Sequence, residues 1–279
     1  MVSFSNAKIN LGLNIVSRRS DGYHNIETVF YPIQMKDALE IVPMQKRGDG
    51  QREYQFFQSG IEIKGNPEDN LIIKALRLVK EMRDVPPIDI HLLKTIPFGA
   101  GLGGGSSNAA VMLKALNQRF DLQLSRETLL EMALQIGADC SFFIDNHPAF
   151  ATGIGEQMEQ VELNLDHYHF VLVKPDVSVN TAWAYSMIQP QQPEVSLHEI
   201  IKQPITEWKE LMHNDFEAPI FQQHPVIKEI KEELYQMGAI YASMSGSGSS
   251  VYAFFNEPPQ DNPAFKDFFC WEYNPTLSK

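Results

Sequence analysis

"PFGAGLGGGSSNAA", residues 97–110, packs five glycines into seven residues and follows them with two serines and an asparagine. Glycine costs roughly 1 kcal/mol wherever a regular element could have formed. A run this dense marks a backbone shape that side chains would block, and the usual reason is a loop whose N–H groups wrap a phosphate. Pro97 starts the loop, and Gly99, Gly101, Gly103, Gly104 and Gly105 curve it around Leu102. Ser106 or Ser107 then opens a helix, because Ala109, Met112, Leu113 and Leu116 recur at helical spacing. The positive end of that helix and the exposed N–H groups would face a triphosphate. The hydroxyls of Ser106 and Ser107 suit a phosphate oxygen or Mg²⁺.

Competing phosphate loops fit less well. Gly99, Gly101 and Gly104 satisfy G-x-G-x-x-G, the dinucleotide fingerprint. That fingerprint needs a second strand ending in an acid about 20 residues on. Here the helix runs to about Phe120 and leaves no room for it. A Walker loop ends in Gly-Lys-Ser/Thr, but this one ends in Gly105-Ser106-Ser107. The protein-kinase H-R-D and D-F-G signatures are missing.

Upstream, "AKINLGLNI" (7–15) alternates strictly: Ala7, Ile9, Leu11, Leu13 and Ile15 on one face, Lys8, Asn10, Gly12 and Asn14 on the other. This predicts a half-buried strand with Lys8 and Asn10 side by side on its polar face. Asp21-Gly22 signals a turn and "IETVFYPI" a second strand. Residues 45–60 read as a polar loop with edge strands. "NLIIKALRLVKEM" predicts an amphipathic helix capped by Asn70, and "IDIHLLKTIP" a strand. Downstream, "SRETLLEMALQIG" predicts a helix between a Ser125 cap and a Gly137 stop. Beyond about 155–166, a strand over 168–174 is followed by helices near 181–188, 197–213 and 225–237. The strands "IYASMS" and "SVYAFF" come next, then a short helix near 263–269 and a strand near 270–273. Strand, helix, strand, strand, helix, strand is a split βαβ pattern with helices inserted. The fold class is therefore α+β.

The chain's 279 residues suffice for two domains, and its 43% hydrophobic and 21% charged content is that of a soluble globular protein. A net charge of -12 argues against a nucleic-acid partner or an anionic membrane. No run of 18 apolar residues predicts a span, and the first residues lack a signal peptide's charged start and apolar core. Two cysteines, Cys140 and Cys270, make no disulfide framework, so a cytoplasmic location is expected. Cys140 reads as a small packing residue, and His167 and His169 lack a third metal ligand nearby.

The glycine loop closely resembles the phosphate loop of the GHMP small-molecule kinases, and the likeness does not rest on one motif. "AKINLGLNIVSRRSDGYHNIETVF", "IGADCSFFI", "GIGE" (153–156), "NDFE" (214–217) and "MSGSGSSVYAFF" resemble the branch that phosphorylates a cytidine diphosphate-linked methylerythritol. Residues 44–60, 189–206 and the tail match poorly. The resemblance implies the two-domain GHMP kinase fold, with an N-terminal mixed α/β domain over 1–158 and a C-terminal ferredoxin-like split βαβ domain over 159–279. It implies transfer of the ATP γ-phosphoryl group to the acceptor's 2-hydroxyl, in the non-mevalonate route to isoprenoids. Asp139 takes the catalytic acidic position, Lys8 its partner, and ATP with Mg²⁺ the donor side.

Asn70 and Lys94 would line the adenosine side, although Asn70 reads equally as a plain helix cap. Ser107 is assigned to the metal, with no second acid identified unless Asp139 serves both roles. Ser245, Gly246, Ser247 and Gly248 would close over the phosphate end, or make only a hairpin turn. On the acceptor side stand Asn10, Tyr23, His24, Thr181 and Tyr185. Tyr23 offers a stacking ring and His24 hydrogen bonds for a cytosine. Tyr185 or the nearby Trp183 would close the other face, and Asn10 would hold the erythritol part.

Overall fold

The structure is a computed structural model describing residues 1–44, 52–63 and 65–277. Its strands are β1 (Val2–Arg18), β2 (His24–Pro43), β3 (Tyr54–Gly60), β4 (Ile88–Lys94), β5 (Ala149–Thr152), β6 (Gln157–Gln160), β7 (His169–Lys174), β8 (Tyr241–Met244), β9 (Val251–Phe255) and β10 (Phe269–Tyr273). Its helices are α1 (Leu71–Met82), α2 (Gly104–Phe120), α3 (Arg126–Ile136), α4 (Ala138–Asp145), α5 (Thr181–Ser186), α6 (Leu197–Ile200), α7 (Trp208–Leu211), α8 (Glu217–Gln223) and α9 (Pro225–Gln236). None of the described helices is long and apolar enough to cross a membrane. Part of the loop expected over 45–60 (residues 45–51) lies outside the described residues.

Two compact units emerge, and neither is a continuous stretch of chain. The first comprises Met1–Lys8, Pro32–Phe98 and Gly103–His147; the second comprises Ile9–Tyr31, Gly99–Leu102 and Pro148–Lys279. Residues 9–31, 99–102 and 148–158 thus group with the C-terminal chain, unlike in a linear cut after 158.

In the first unit β4 pairs in parallel with β3 and antiparallel with the second half of β2, from Ala38 opposite Leu93 to Pro43 opposite Ile88. Helices α1 to α4 pack on one another. Asn70 caps α1 by accepting from Ile72 N, and Ile72, Ile73, Leu76 and Val79 form its buried stripe. Ser125 caps α3, as its sequence predicts.

The second unit holds a four-stranded antiparallel sheet in the order β10-β7-β9-β8. With β7 as first strand this is the fourth-first-third-second order of the split βαβ fold. Helices α8 and α9 bury Ile220, Ile227, Ile230 and Leu234 in one cluster with Val171, Val173, Val251 and Ala253. Elsewhere in this unit the first half of β2 pairs with β5, and β5 with β6.

Three expectations change. The polar face of β1 is not solvated: Lys8 and Asn10 are both buried, because each side of the strand is covered by protein. The helix expected over 197–213 is broken into α6, a 3₁₀ turn over Ile205–Glu207 and α7. Pro204 causes the break, since the residue before a proline is driven out of the helical region. The helix expected near 263–269 is only a 3₁₀ turn over Pro263–Phe265.

Candidate active site

In the first unit, Lys8 and Asp139 meet. The Lys8 Nζ lies 3.4 Å from Asp139 Oδ2, with the lysine side chain 5% exposed and the aspartate 38% exposed. Asp139 sits in the first turn of α4, where the positive helix end favours a carboxylate. Gly103, in left-handed backbone (φ 66°), caps α2 beside them. A Cβ there would come within 2.9 Å of Phe143 and 3.1 Å of Lys8, which explains a glycine at this point. The Ser107 hydroxyl is buried in the first turn of α2 and has no hydrogen-bond partner among the described residues. An orphaned hydroxyl at a helix N-terminus suits an oxygen ligand. Cys140 is buried, with its thiol pushed up to about 12 by desolvation, so it packs as expected and is no thiolate at neutral pH.

A cavity of about 470 Å³ in the same unit is lined by Asn70, Lys94, Phe98, Gly105 and Asn108 among others. Asn70 therefore both caps α1 and borders a cavity, so its two readings are compatible. Lys94 lines the cavity while its ammonium turns inward, 2.5 Å from Asp37 Oδ2. Both residues are buried. Desolvation lowers the Lys94 pKa, opposed by the Asp37 charge. Asp37 also accepts from Thr95 N, Ile96 N and Asn108 Nδ2, so its carboxylate is saturated. Sequence reading missed Asp37 and Asn108. The signal was there: Asp37 occupies an inward register position on β2, in line with Tyr31, Ile33, Met35, Leu39 and Ile41.

The second unit brings Asn10, Gly101, Ser245 and Gly246 together. Ser245 Oγ accepts from Asn10 N at 3.2 Å and donates to Gly101 O at 2.8 Å. A Cβ on Gly101 (φ 76°) would run into the Ser245 carbonyl, so the close approach of these two segments requires glycine. Leu102 is buried here. The Asn10 amide donates to Thr28 Oγ1, and Tyr252 OH donates to Asn10 O. The hydroxyls of Thr181 and Ser247 are hydrogen-bonded to each other at 2.9 Å.

His24 and Tyr185 stack with centroids 5.1 Å apart and planes inclined by 18°. That face of Tyr185 is therefore taken by His24 rather than open to a base. Trp183 packs partly buried against the core. Tyr23 projects from the turn, 63% exposed. Desolvation and Arg18 lower the His24 pKa below 6.5, so its ring is neutral at pH 7 and offers one donor and one acceptor.

Family models described as the GHMP kinases N terminal domain and the GHMP kinases C terminal match residues 70–153 and 196–269. The chain belongs to the GHMP kinase family. It is 55% identical over 275 residues, 98% of each chain, to a 4-diphosphocytidyl-2-C-methyl-D-erythritol kinase of Bacteroides fragilis. It is also 55% identical, over 98% of each chain, to the enzyme so named in Parabacteroides distasonis. A crystal structure of 4-(cytidine 5'-diphospho)-2C-methyl-D-erythritol kinase superposes with a TM-score of 0.77 at 30% identity, covering 91% of this chain and 90% of the other.

Proposed function

We infer that this GHMP kinase transfers the γ-phosphoryl group of ATP to the 2-hydroxyl of 4-diphosphocytidyl-2-C-methyl-D-erythritol, a step of the non-mevalonate route to isoprenoid precursors. One observation carries the chemistry: a half-exposed aspartate held by a buried lysine, in the unit where a glycine-capped helix begins. Phosphoryl transfer is loose, so the protein mainly positions groups and balances charge. Asp139 takes or orients the proton of the acceptor hydroxyl, and Lys8, 3.4 Å away, orients Asp139 and steadies the attacking oxygen. The N–H groups of the loop and of the first turn of α2 cradle the phosphates. The Asn70–Lys94 cavity suits the adenosine, with Lys94 contributing its stem because its ammonium is spent on Asp37.

Mg²⁺ fits the orphaned Ser107 hydroxyl, since it favours oxygen ligands and keeps most of its shell on phosphates and water. Bound there, it would neutralise charge on the β- and γ-phosphates. Asp139 is the available acid for a shared role. Pro97 and Gly99 shape the entry to the loop, Ser106 adds a second hydroxyl, and Ser245 holds the loop at Gly101. On the acceptor side, Tyr23 stacks on cytosine, the neutral His24 ring reads its edge, and Tyr185 steadies His24. Asn10 and Thr181 hold the methylerythritol diphosphate. A cytoplasmic location, in keeping with two free thiols, completes the reading.

A coupled ADP-release assay tests it. The cytidine-linked acceptor should release ADP, and its uridine analogue should be used at least about 10²-fold less efficiently, because swapped donors and acceptors leave buried groups unpaired. No ADP release with the cytidine compound would overturn the function. Equal use of both would overturn the cytosine-reading role of Tyr23 and His24 alone.

A further inference from the structure

The segment 214–217, "NDFE", has no role in the chemistry above, yet its side chains are anchored throughout the second unit. Asn214 is buried. Its amide nitrogen donates to Met244 O at 2.8 Å and to Gly246 O at 2.9 Å, and its Oδ1 accepts from Phe216 N at 3.0 Å. Both amide hydrogens are thus spent on carbonyls that flank Ser245, which fixes the orientation of the amide. Glu217 Oε1 accepts from Met244 N at 2.9 Å and from Ser243 Oγ at 3.2 Å, while its other oxygen meets Lys231 Nζ at 2.7 Å. Met244 is therefore held at its N–H and its C=O, and Gly246 at its C=O. Ser245, between them, has its own hydroxyl directed at the glycine loop, accepting from Asn10 N and donating to Gly101 O. The Asn214 side chain acts on Gly101 through the Met244–Gly246 turn.

We propose that Asn214 is a positioning residue for the phosphate loop: its amide sets the Met244–Gly246 backbone, and Ser245 transmits that setting to Gly101. The proposal rests on the reading of residues 97–105 as the phosphate-binding loop. The physical basis is the number of constraints that converge on one serine. A hydroxyl can clamp a carbonyl at 2.8 Å only if the backbone that carries it is fixed, and Asn214 supplies two of the hydrogen bonds that fix it. A loop held in its phosphate-binding shape before ATP arrives costs less to order on binding. A merely structural asparagine would change stability and leave nucleotide affinity alone.

Asn214→Asp tests this with a side chain of the same size that cannot donate to either carbonyl. The expected result is an ATP KM raised about tenfold, the scale of a lost buried hydrogen-bond pair, with the acceptor KM within about twofold of the unmodified protein. Calorimetric affinity for a non-hydrolysable ATP analogue, measured without acceptor, should weaken by the same factor. Ser245→Ala should reproduce the pattern, and the double variant should be no worse than the worse single, because both act through one contact. An unchanged ATP KM in folded Asn214→Asp, or fully additive effects in the double variant, overturns the proposal. If Asn214→Asp does not fold, Ser245→Ala decides alone, and an unchanged ATP KM there overturns it too. An unmodified protein that binds no ATP analogue overturns the phosphate-loop reading itself, whereas equal binding by unmodified and Asn214→Asp protein overturns only the positioning role.

Discussion

Two buried lysines in the first unit each face an aspartate, and the two pairs are built differently. Lys94 and Asp37 are both sealed from solvent, and Asp37 accepts four further hydrogen bonds, two of them from Thr95. Lys8 is equally buried, but its partner Asp139 is 38% exposed and sits 3.4 Å away rather than 2.5 Å. A saturated carboxylate has no lone pair left for a substrate. A half-exposed carboxylate at a helix start has room for one. The same two residue types thus hold α2 against the strands in one place and, in the proposed mechanism, stand ready to meet a hydroxyl proton in the other. What separates them is how many protein donors the carboxylate has already taken.

The largest expected effect breaks the sealed pair. Lys94→Met should leave the Asp37 carboxylate buried without its counter-charge and destabilise the protein by about 3–5 kcal/mol, read by denaturant unfolding. A loss below about 1 kcal/mol would show that Asp37 finds other compensation.

Next in size is the glycine that packs on the open pair. From the glycine loop alone, Gly103→Val is expected to block backbone approach to the triphosphate and to raise the ATP requirement more than that for the acceptor. The structure adds Lys8 and Phe143 as neighbours of the new side chain. Gly103→Val should therefore raise the ATP KM and also lower kcat, by about tenfold or more together, since misplacing a catalytic group by an ångström is costly. Gly99→Ala sharpens the point: a Cβ at Gly99 (φ 62°) meets nothing within 4 Å. It should raise the ATP KM through backbone strain of about 1 kcal/mol and leave kcat near normal. Equal effects of the two on kcat would contradict the distinction.

The smallest effect concerns pH. The folded His24 pKa lies below 6.5, so the ring stays neutral through pH 7 and gains its proton only at lower pH. The acceptor KM should be flat from about pH 8 to 6.5 and rise as pH falls further, when the ring loses its acceptor nitrogen. His24→Gln should flatten that acid limb, and a limb that persists would assign it to another group.

Much of this was legible in the sequence because short motifs carry local physics. Asn70 and Ser125 cap the helices their spacing announces, and the glycine run leads directly into α2. Lys8 and Asp139 were picked out by motif resemblance, and they do meet. The rest was hidden where several distant segments decide the outcome. Asp37 shares the inward register of Met35, Leu39 and Ile41, but its buried partners Lys94 and Asn108 come from segments more than 50 residues away. The strict alternation of β1 reads as half-solvated, because nothing local shows that its polar face is covered too. Helices α4 and α8 span eight and seven residues, too short to display a period. "NDFE" stood out as a motif, but its hydrogen bonds reach residues about 30 positions away.

The most direct test sets Asp139→Asn beside Asp37→Asn and measures kcat with the cytidine-linked acceptor and the unfolding free energy of each. Asp139→Asn should lose about 10²-fold or more in kcat with stability changed by less than about 1 kcal/mol. Asp37→Asn should lose several times more stability than that, while the protein that remains folded keeps kcat within a few-fold. Near-normal turnover by Asp139→Asn, or a collapse of kcat in a fully stable Asp37→Asn, would contradict the division of labour between the two pairs.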